Sequence, residues 1–374
     1  MFAGRIENLV ESPVREILKL IDRPGMISFA GGLPATECFP EFDYACLQIG
    51  HLQYGPSEGE HALRMQVAES LCERGLETSA DRVLILSGSQ QGIDLVAKLL
   101  IEPGVRVAVE TPTYLAALQA FDLFGAQYTG FDVDDPVVTD TCLTYTIPTF
   151  QNPTGHCYSP VQRAALADAC SSAGSVLFED DPYRELAYDK CDRTPVCSYL
   201  QNSPWIYQSS FSKTYAPGLR LGYLTCSESL YAPLVRLKQA ADLHSCRISQ
   251  HLILSLLQSD KDNRDLTGFY LERRDNFQAA LKKEFSHLAD WEVPSGGLFF
   301  WLKLKPRFAI DAWHLLEQSI VENVAFMPGE AFYPAGVKAP PALRLNFSHA
   351  TAAQAANGLA KLAKIIEASV AGRV

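Results

Sequence analysis

The sequence has no long apolar run, no internal repeat and no low-complexity tract. No stretch reaches the roughly 18 consecutive apolar residues of a membrane-spanning helix. The N-terminus, MFAGRIENLVESPVREILKL, is amphipathic and charged, and it lacks the apolar core and cleavage site of a secretory signal. We therefore expect a chain that is neither membrane-bound nor secreted, with a cytoplasmic location.

Positive charge is also in short supply. The 374 residues include 32 Lys and Arg against 43 Asp and Glu, a net charge of -11. This excess argues against general binding to nucleic acid or to a membrane surface. An anionic substrate would need cations concentrated in its own site. The 47% hydrophobic and 20% charged content fits a globular protein with one large and one smaller domain.

The ten cysteines form no CxxC pair and have no histidine cluster near them. This spacing excludes the usual zinc-binding patterns, and no metal site is predicted. Without a secretory signal, free thiols in a reducing compartment are expected. We expect most of these cysteines to be small core residues.

Short apolar strands alternate with helices through the first two thirds of the chain. The pattern predicts strands at 83–86, 105–109, 127–133, 143–147, 175–178, 205–209 and 221–226. It predicts helices at 5–23, 60–75, 90–101, 112–124 and 160–173. Such alternation is typical of an α/β fold whose mostly parallel sheet is covered on both faces.

The pattern changes near residue 265. A long helix, a hairpin-like piece at 291–304, and then helix, strand and final helix predict a smaller α+β domain, which the N-terminal segment completes. The predicted division is an N-terminal helix and loop at 1–40, a large domain at 41–270 and a small domain at 271–374.

One lysine stands among hydroxyl residues between two predicted strands, in the segment 209–223. A lysine amine can form an imine with a carbonyl group, while the serines and Arg220 around Lys213 can hold a phosphate. A carbonyl compound with a phosphate describes pyridoxal phosphate (PLP), the cofactor of amino-group chemistry. A lysine beside serines is also common on a solvated surface, so the cofactor's other requirements decide between the two interpretations.

The turn 87–90 offers donors for a phosphate. It follows the strand 83–86 and opens a helix, which brings backbone N–H groups to the positive end of a helix dipole. Ser89, Ser210, Ser212 and Arg220 add side-chain donors. An ordinary helix N-cap would show the same Gly-Ser pattern.

The ring of the cofactor needs an anion at its pyridine nitrogen. Glu179, Asp180 and Asp181 offer carboxylates at the end of an apolar strand. A carboxylate in this place could instead cap the following turn.

Three uncharged residues suit the rest of the ring. Tyr183 and Asn152 can hydrogen-bond to its hydroxyl, and Tyr114 can cover its face. The alternatives are an ordinary Asn-Pro turn at Asn152 and a packed core tyrosine at Tyr114.

A substrate carboxylate needs a cation, and Arg344 lies in an apolar, strand-like run. A charge buried there is costly unless it is paired, and a guanidinium binds a carboxylate through two parallel hydrogen bonds. The alternative is an edge-strand arginine that faces water.

Together these segments resemble the fold type I PLP-dependent aminotransferases of class I/II, the aspartate aminotransferase superfamily. The motif residues come in the family's order: Asn152, Asp180, Tyr183, Lys213, Arg220 and Arg344. The resemblance covers nearly the whole chain. It implies an α/β fold with a large PLP-binding domain, whose mostly parallel seven-stranded sheet lies between helices, and a smaller α+β domain.

The resemblance also implies roles for single residues. Lys213 would form the imine with the cofactor and act as the catalytic base. Asp180, three residues before Tyr183, would pair with the pyridine nitrogen. Tyr183 and Asn152 would contact the ring hydroxyl, and Tyr114 would stack on the ring.

The phosphate and the substrate have implied partners as well. The implied phosphate ligands are Ser89, Gln90, Ser210, Ser212 and Arg220. Tyr54 would reach the phosphate of a neighbouring subunit, which implies a homodimer with shared active sites. Arg344, Asn152 and Gly32 would hold the α-carboxylate.

Within the superfamily the chain most resembles the 2-aminoadipate and kynurenine/aminoadipate aminotransferases, through SPVREILKL at 12–20, FAGGLP at 29–34 and GSQQG at 88–92. In that group an arginine of the N-terminal helix can contact an acidic substrate side chain. Arg15 stands at the matching position, with a surface salt bridge as the alternative. Arg247 replaces a residue that is more usually small and polar, which points to an altered substrate or subunit contact.

The resemblance implies transfer of an amino group between an L-amino acid and a 2-oxo acid. Glutamate and 2-oxoglutarate would form one pair, and 2-aminoadipate, an aromatic or a branched-chain amino acid would belong to the other. A lyase, decarboxylase or racemase on the same fold is the main alternative. Arg344 and Arg15 weigh against decarboxylation because they suit a substrate that keeps its carboxylate. A PLP-binding transcriptional regulator would need a DNA-binding domain, and the segment before Phe29 is too short for one.

Overall fold

The computed structural model describes residues 2, 4–7, 17, 23–259, 264–308 and 310–371. Most of the predicted helix 5–23, with Arg15, lies outside the described residues. The strands are β1 (Ile27–Ser28), β2 (Val83–Leu86), β3 (Arg106–Glu110), β4 (Gln127–Phe131), β5 (Leu143–Thr146), β6 (Val176–Asp180), β7 (Trp205–Ser210), β8 (Gly222–Cys226), β9 (Ala289–Asp290), β10 (Phe299–Leu304), β11 (Val324–Ala325), β12 (Met327–Pro328) and β13 (Ala342–Asn346). The helices are α1 (Gly4–Glu7), α2 (His61–Glu73), α3 (Ser89–Leu100), α4 (Leu115–Asp122), α5 (Pro160–Ala173), α6 (Glu228–Asp242), α7 (Arg247–Leu257), α8 (Leu266–Phe285), α9 (Ala312–Val321) and α10 (Ala352–Ala371).

Seven strands form the central sheet in the order β2-β8-β7-β6-β5-β3-β4. The strands from β7 to β4 are parallel, and β8 is antiparallel to both of its neighbours. The predicted ends of all seven strands lie within two residues of the observed ones. A continuous apolar run identifies β2 because both of its faces are buried: Val83 and Ile85 pack in one hydrophobic cluster, and Leu84 and Leu86 in the other.

Helices cover both faces of this sheet. Residues of α2, α5 and α7 pack on one side, and residues of α3, α4 and α6 pack on the other. The helices at 60–75, 90–101 and 160–173 are confirmed to within two residues, while α4 is shorter than the predicted 112–124. No helix was predicted over 228–257, where Pro233 lies inside α6 and interrupts its helical pattern.

A second sheet, in the order β12-β13-β10-β9, is antiparallel and packs with α8, α9 and α10 in a separate hydrophobic cluster. The N-terminal segment joins this part of the molecule because β1 pairs with β11. The smaller α+β unit is therefore present as predicted. The boundaries at 40 and 270 stay a prediction, and α8 runs across the second of them.

Parallel strands place their carboxyl ends at one edge of a sheet, which is where ligands of such sheets bind. The turn after β2, the loop after β5 and the last residues of β6 and β7 meet at this edge. In the part of the chain that the structure describes, no helix has both the length and the apolar character to cross a membrane. No group of three His, Cys, Asp or Glu side chains in this part could hold a metal ion.

Candidate active site

Asp180, the last residue of β6, is only 2% exposed. Its Oδ2 accepts a 2.8 Å hydrogen bond from the hydroxyl of Tyr145, whereas its buried Oδ1 has no partner among the described residues. Burial raises the pKa of Asp180 to about 7, and the bond from Tyr145 opposes that rise. A cationic N–H group at Oδ1 would satisfy the free oxygen and stabilise the ionised carboxylate.

The two acids beside Asp180 are engaged elsewhere. Asp181 accepts hydrogen bonds from the hydroxyl of Tyr207 at 2.9 Å and from Arg184 at 3.3 Å. Glu179 accepts one from the backbone N–H of Cys197. Neighbouring strand residues point to opposite faces, so Asp180 faces away from both of them. Each of the three carboxylates has one buried oxygen without a partner among the described residues, and Asp180 is the one that lies near Tyr114 and Tyr183 in the site.

Lys213 is half-buried, and its Nζ donates a 2.7 Å hydrogen bond to the carbonyl of Gly32. The same nitrogen lies 6.0 Å from the ring centre of Tyr183. Desolvation, together with the positive charges of Arg344 and Arg220, lowers the pKa of Lys213 to about 8. A lysine with this pKa is partly neutral near physiological pH, and the neutral amine is the nucleophile.

A chain of hydrogen bonds joins Tyr183 to Arg344. Asn152 donates from Nδ2 to the Tyr183 hydroxyl at 3.3 Å and accepts at Oδ1 from Nη1 of Arg344 at 2.9 Å. Nη2 of Arg344 donates to the carbonyl of Ala30. Arg344 lies on β13, between β12 and β10, and is 4% exposed. The edge-strand alternative for this arginine is therefore wrong.

The guanidinium of Arg344 also lies between two aromatic rings. Its carbon is 4.3 Å from the ring centre of Phe299 and 4.8 Å from that of Phe332. Burial lowers the pKa of Arg344 to about 10, so it stays cationic at neutral pH, and its Nε has no partner among the described residues. A buried cation with a free donor suits a carboxylate ligand. Neither phenylalanine was predicted, because only the fold brings the two rings together.

The turn after β2 lies against an arginine. Gly88 has φ +83°, and a Cβ in its place would lie 2.5 Å from Nη2 of Arg220. Ser89 follows as the first residue of α3, with the free N–H groups of that helix. Arg220 is exposed and has no carboxylate within salt-bridge distance among the residues described. The glycine, the helix N-terminus and the cation form a cradle for an anion.

The remaining predicted phosphate ligands divide into two groups. Ser210 lies opposite Gly222 in the sheet, and a Cβ on that glycine would be 2.9 Å from the backbone nitrogen of Ser89. Ser212 donates its N–H to Oγ of Ser210 at 3.1 Å. These serines therefore adjoin the cradle. Gln90 is exposed, and its Nε2 donates to a backbone carbonyl of α4 at 3.3 Å.

A buried lysine that was not predicted stabilises the turn 87–90 through hydrogen bonds. Nζ of Lys238, on α6, donates to Oε1 of Gln91 at 2.6 Å, to Asp242 at 2.9 Å and to Oγ of Ser245 at 2.8 Å. Asp242 in turn accepts from the hydroxyl of Ser87 at 2.7 Å. The Lys-Asp pair at i and i+4 was the available sequence signal, but that spacing is common on exposed helices too.

Tyr114 and Tyr54 have different surroundings. Tyr114 is the N-cap residue of α4, and burial together with the charge of Asp180 raises its pKa. The side chain of Tyr54 is 76% exposed, and its ring packs edge-on against His244 at 5.9 Å. Within one chain, the ring of Tyr54 therefore lies apart from the other predicted site residues.

Arg247 fixes the backbone around Tyr54. Its Nη1 donates to the carbonyls of Gly50 at 2.9 Å and Gln53 at 3.0 Å, and its Nε forms an ion pair with Glu60. It therefore contacts the segment that carries Tyr54, and an altered substrate or subunit contact at Arg247 stays a prediction.

PLP fits this arrangement on three separate observations. The free Oδ1 of Asp180 suits a pyridine N–H group, the cradle at Gly88 and Arg220 suits a phosphate, and the amine of Lys213 suits a carbonyl. The buried cation of Arg344 completes the site with a place for a carboxylate.

Known proteins are similar to this chain over nearly its whole length. The family described as aminotransferase class I and II matches residues 45–362. A 2-aminoadipate transaminase from Thermus thermophilus is 35% identical over 393 residues, which cover 99% of this chain and 96% of that protein. An aromatic-amino-acid aminotransferase 1 from Thermococcus litoralis is 33% identical over 394 residues, which cover 98% of this chain and 94% of that protein.

The crystal structure of Pyrococcus horikoshii kynurenine aminotransferase in complex with PMP is similar to the whole chain. The TM-score is 0.91 at 32% identity, and the match covers 99% of this chain and 97% of that one. The family match and these similarities, together with the residues that fit PLP, lead to one conclusion. The chain belongs to the class I and II aminotransferases, and it is a PLP-dependent transaminase with the aspartate-aminotransferase-like fold.

Proposed function

We propose that the protein transfers an amino group between glutamate and 2-oxoglutarate on one side and a second amino acid and its 2-oxo acid on the other. The second amino acid is 2-aminoadipate, an aromatic or a branched-chain amino acid. The names of the relatives, a 2-aminoadipate transaminase and an aromatic-amino-acid aminotransferase, support the first two choices.

One observation carries the proposal: Arg344 is a buried cation with a free Nε, and Asn152 links it to Tyr183. In our proposal Arg344 and Asn152 bind the α-carboxylate of the substrate, beside the backbone of Gly32. The carboxylate is held and not lost, which favours transamination over decarboxylation. Arg15 lies outside the described residues, and its contact with an acidic substrate side chain stays part of this proposal.

The chain's own residues then divide the chemistry. When bound, PLP supplies an electron-withdrawing ring that stabilises negative charge at the α-carbon of the amino acid. Nζ of Lys213, with its lowered pKa, removes the α-proton and returns it one step later. Oδ1 of Asp180 holds the proton on the ring nitrogen. Tyr183 and Asn152 orient the ring, and Tyr114 covers its face.

The proposed phosphate site consists of Ser89, Gln90, Ser210, Ser212 and Arg220. We further propose that Tyr54 of one subunit completes the phosphate site of the other in a homodimer. The exposure of Tyr54 and the anchoring of its backbone by Arg247 support this arrangement. The ten free cysteines support the proposed cytoplasmic location.

A half-reaction screen tests the substrates. Each candidate amino acid is mixed with the holoenzyme, and the absorbance change on conversion of PLP to pyridoxamine phosphate is recorded. We expect conversion with glutamate and with at least one of 2-aminoadipate, phenylalanine, kynurenine or leucine. The proposed substrates are wrong if glutamate leaves the spectrum unchanged.

The variant Lys213→Ala tests the chemistry. It should lose both turnover and the visible absorbance band of the covalently held cofactor. The control Lys282→Ala changes a lysine in the last turn of α8, in the smaller α+β unit. It should keep both the turnover and the absorbance band. Full transamination by Lys213→Ala would contradict the proposed role.

A further inference from the structure

Two half-buried cysteines, Cys157 and Cys191, line one cavity of about 350 Å³. Sγ of Cys157 lies 3.2 Å from the carbonyl oxygen of Asp192, the residue that follows Cys191. Both cysteines pack against the same hydrophobic cluster, and each thiol shifts the pKa of the other. They belong to separate loops, so the fold alone makes them neighbours.

Charged groups of both signs lie around this pair. Arg163 is fully buried, its Nη2 lies 3.7 Å from Sγ of Cys157, and its Nε lies 3.7 Å from a carboxylate oxygen of Asp192. Arg193 and Ser295 lie near Cys191. The neighbouring thiol of Cys157, with the charge of Arg193, lowers the pKa of Cys191 to about 6, while the pKa of Cys157 is raised. Half-buried thiols with a lowered pKa beside cationic side chains are the reactive ones in proteins.

The cysteine distribution differs from the expected one. Only four of the ten cysteines are buried: Cys38, Cys170, Cys197 and Cys226. Burial raises the pKa of each of these four thiols, which makes them poor nucleophiles.

We propose that Cys157 and Cys191 form a peroxide-reactive thiol pair that closes to a reversible disulfide. The thiolate of Cys191 attacks one oxygen of hydrogen peroxide, the O–O bond breaks, and the hydroxide that leaves takes up a proton as water. The sulfur of Cys157 then attacks the sulfenic acid on Cys191. An S–S bond forms, the S–O bond breaks, and a second water leaves with the Cys157 proton. The two thiols lose two electrons, and the peroxide is reduced to two waters.

This bond would act on the active site through the turn that contains Asn152. Cys157 follows that turn directly, and the N–H of Gln151 donates to the carbonyl of His156 across it. Disulfide formation draws Sγ of Cys157 away from Asp192 and so pulls on the turn. We expect transamination to fall on oxidation and to recover on reduction. This consequence rests on the proposed function, whereas the sulfur chemistry does not.

Peptide mapping of the holoenzyme tests the pair. The protein is treated with a small excess of hydrogen peroxide, free thiols are blocked, and non-reduced digests are analysed by mass spectrometry. We expect one dominant cross-linked peptide that joins Cys157 to Cys191 and disappears after dithiothreitol. In a separate sample, iodoacetamide at neutral pH should label Cys191 at least about tenfold faster than the exposed Cys72 and Cys246.

Single serine variants identify the order of the steps. Cys157→Ser should stop at the sulfenic acid, which dimedone traps on Cys191. Cys191→Ser should give no dimedone adduct on Cys157. Cys72→Ser, which alters an exposed thiol, should behave as wild type. Because wild-type mapping needs neither variant, poor folding of one of them would not leave the proposal untested.

Two results would overturn the pair: absence of the Cys157–Cys191 peptide, or labelling of Cys191 no faster than Cys72. A cross-link that forms while transamination stays unchanged would overturn the effect on the active site. An enzyme without transaminase activity that still forms the cross-link would instead contradict only the proposed function.

Discussion

At the scale of single residues, the site depends on buried charges that keep one atom free. Asp180 has one oxygen bonded to Tyr145 and one without a partner, and Arg344 has two nitrogens engaged and Nε free. Burial makes each free atom costly in the absence of a ligand. The same burial makes each interaction strong once a ligand of opposite charge is bound.

Tyr145→Phe removes the one hydrogen bond that Asp180 receives from a tyrosine without a large change in volume. We expect the apoenzyme to lose about 2 kcal/mol of unfolding free energy in urea. The loss should be greater above pH 7 than below, because the pKa of Asp180 is about 7 and the ionised form depends more on a donor. Tyr128→Phe, which removes a hydroxyl bonded to the exposed Asp122 and to the carbonyl of Leu118, should cost less than about 1 kcal/mol. Equal losses in both variants would contradict the argument.

The pKa of Lys213 predicts how the apoenzyme takes up PLP. The neutral amine reacts, so the rate of uptake should rise as the pH increases through about 8 and level off above it. Arg344→Gln removes a positive charge that lowers this pKa, so the midpoint should move to higher pH. Stopped-flow absorbance measures the rates. The exposed control Arg307→Gln should leave the midpoint in place, and an unmoved midpoint in Arg344→Gln would contradict the electrostatic cause.

At the scale of elements, the turn between β2 and α3 brings a positive-φ glycine, a helix N-terminus and Arg220 together. Its position is set by the end of β2 at one side and by Lys238 of α6 at the other. A side chain added at Gly88 therefore meets the guanidinium of Arg220, which would have to move away from the turn. The sequence motif predicted this turn, but it did not predict that Lys238 stabilises it.

Gly88→Ala should weaken PLP binding by at least about tenfold, or about 1.4 kcal/mol. The new Cβ would lie 2.5 Å from Nη2 of Arg220 and displace it. Gly104→Ala is a matched control, because Gly104 has a similar φ of +88° and nothing within 4 Å of a new Cβ. Both variants should lose about 1 kcal/mol of stability through backbone strain, but only Gly88→Ala should change the Kd for PLP. An equal change in both Kd values would show that strain, and not the clash, is responsible.

At the scale of the whole molecule, one segment leaves large apolar side chains in water. Tyr44, Ile49, Leu52 and Tyr54 are 67%, 85%, 67% and 76% exposed. A cluster of this kind is typical of a protein interface. In the proposed homodimer this surface belongs to the contact that brings Tyr54 to the other subunit.

Ile49→Arg should therefore shift the protein from dimer to monomer in analytical ultracentrifugation. The arginine would place a charge in an apolar contact, where its burial is unfavourable. PLP should also dissociate faster from the monomer, because Tyr54 would no longer reach the second site. Val321→Arg, at a residue that is 78% exposed on α9, should leave both properties unchanged. A wild-type monomer, or an Ile49→Arg dimer, would contradict the proposed assembly.

The sequence by itself determined the α/β class, the seven strands of the main sheet and the cofactor. A strand that is buried on both faces tends to be a continuous apolar run, which can be recognised in the sequence. PLP needs an amine, a carboxylate and a phosphate cradle, and each of these appears in the sequence as a short motif. These signals are local in the chain, so they can be recognised from the sequence without the tertiary structure.

Only the tertiary structure decided which rings enclose Arg344, which buried lysine supports the turn after β2, and that Cys157 and Cys191 line one cavity. Each of these depends on contacts between distant parts of the chain: Asn152 and Arg344, for example, are separated by 192 positions. Such pairs produce no periodic pattern in the sequence. Which residues meet depends on how the large domain and the smaller α+β unit pack, and not on local backbone preference.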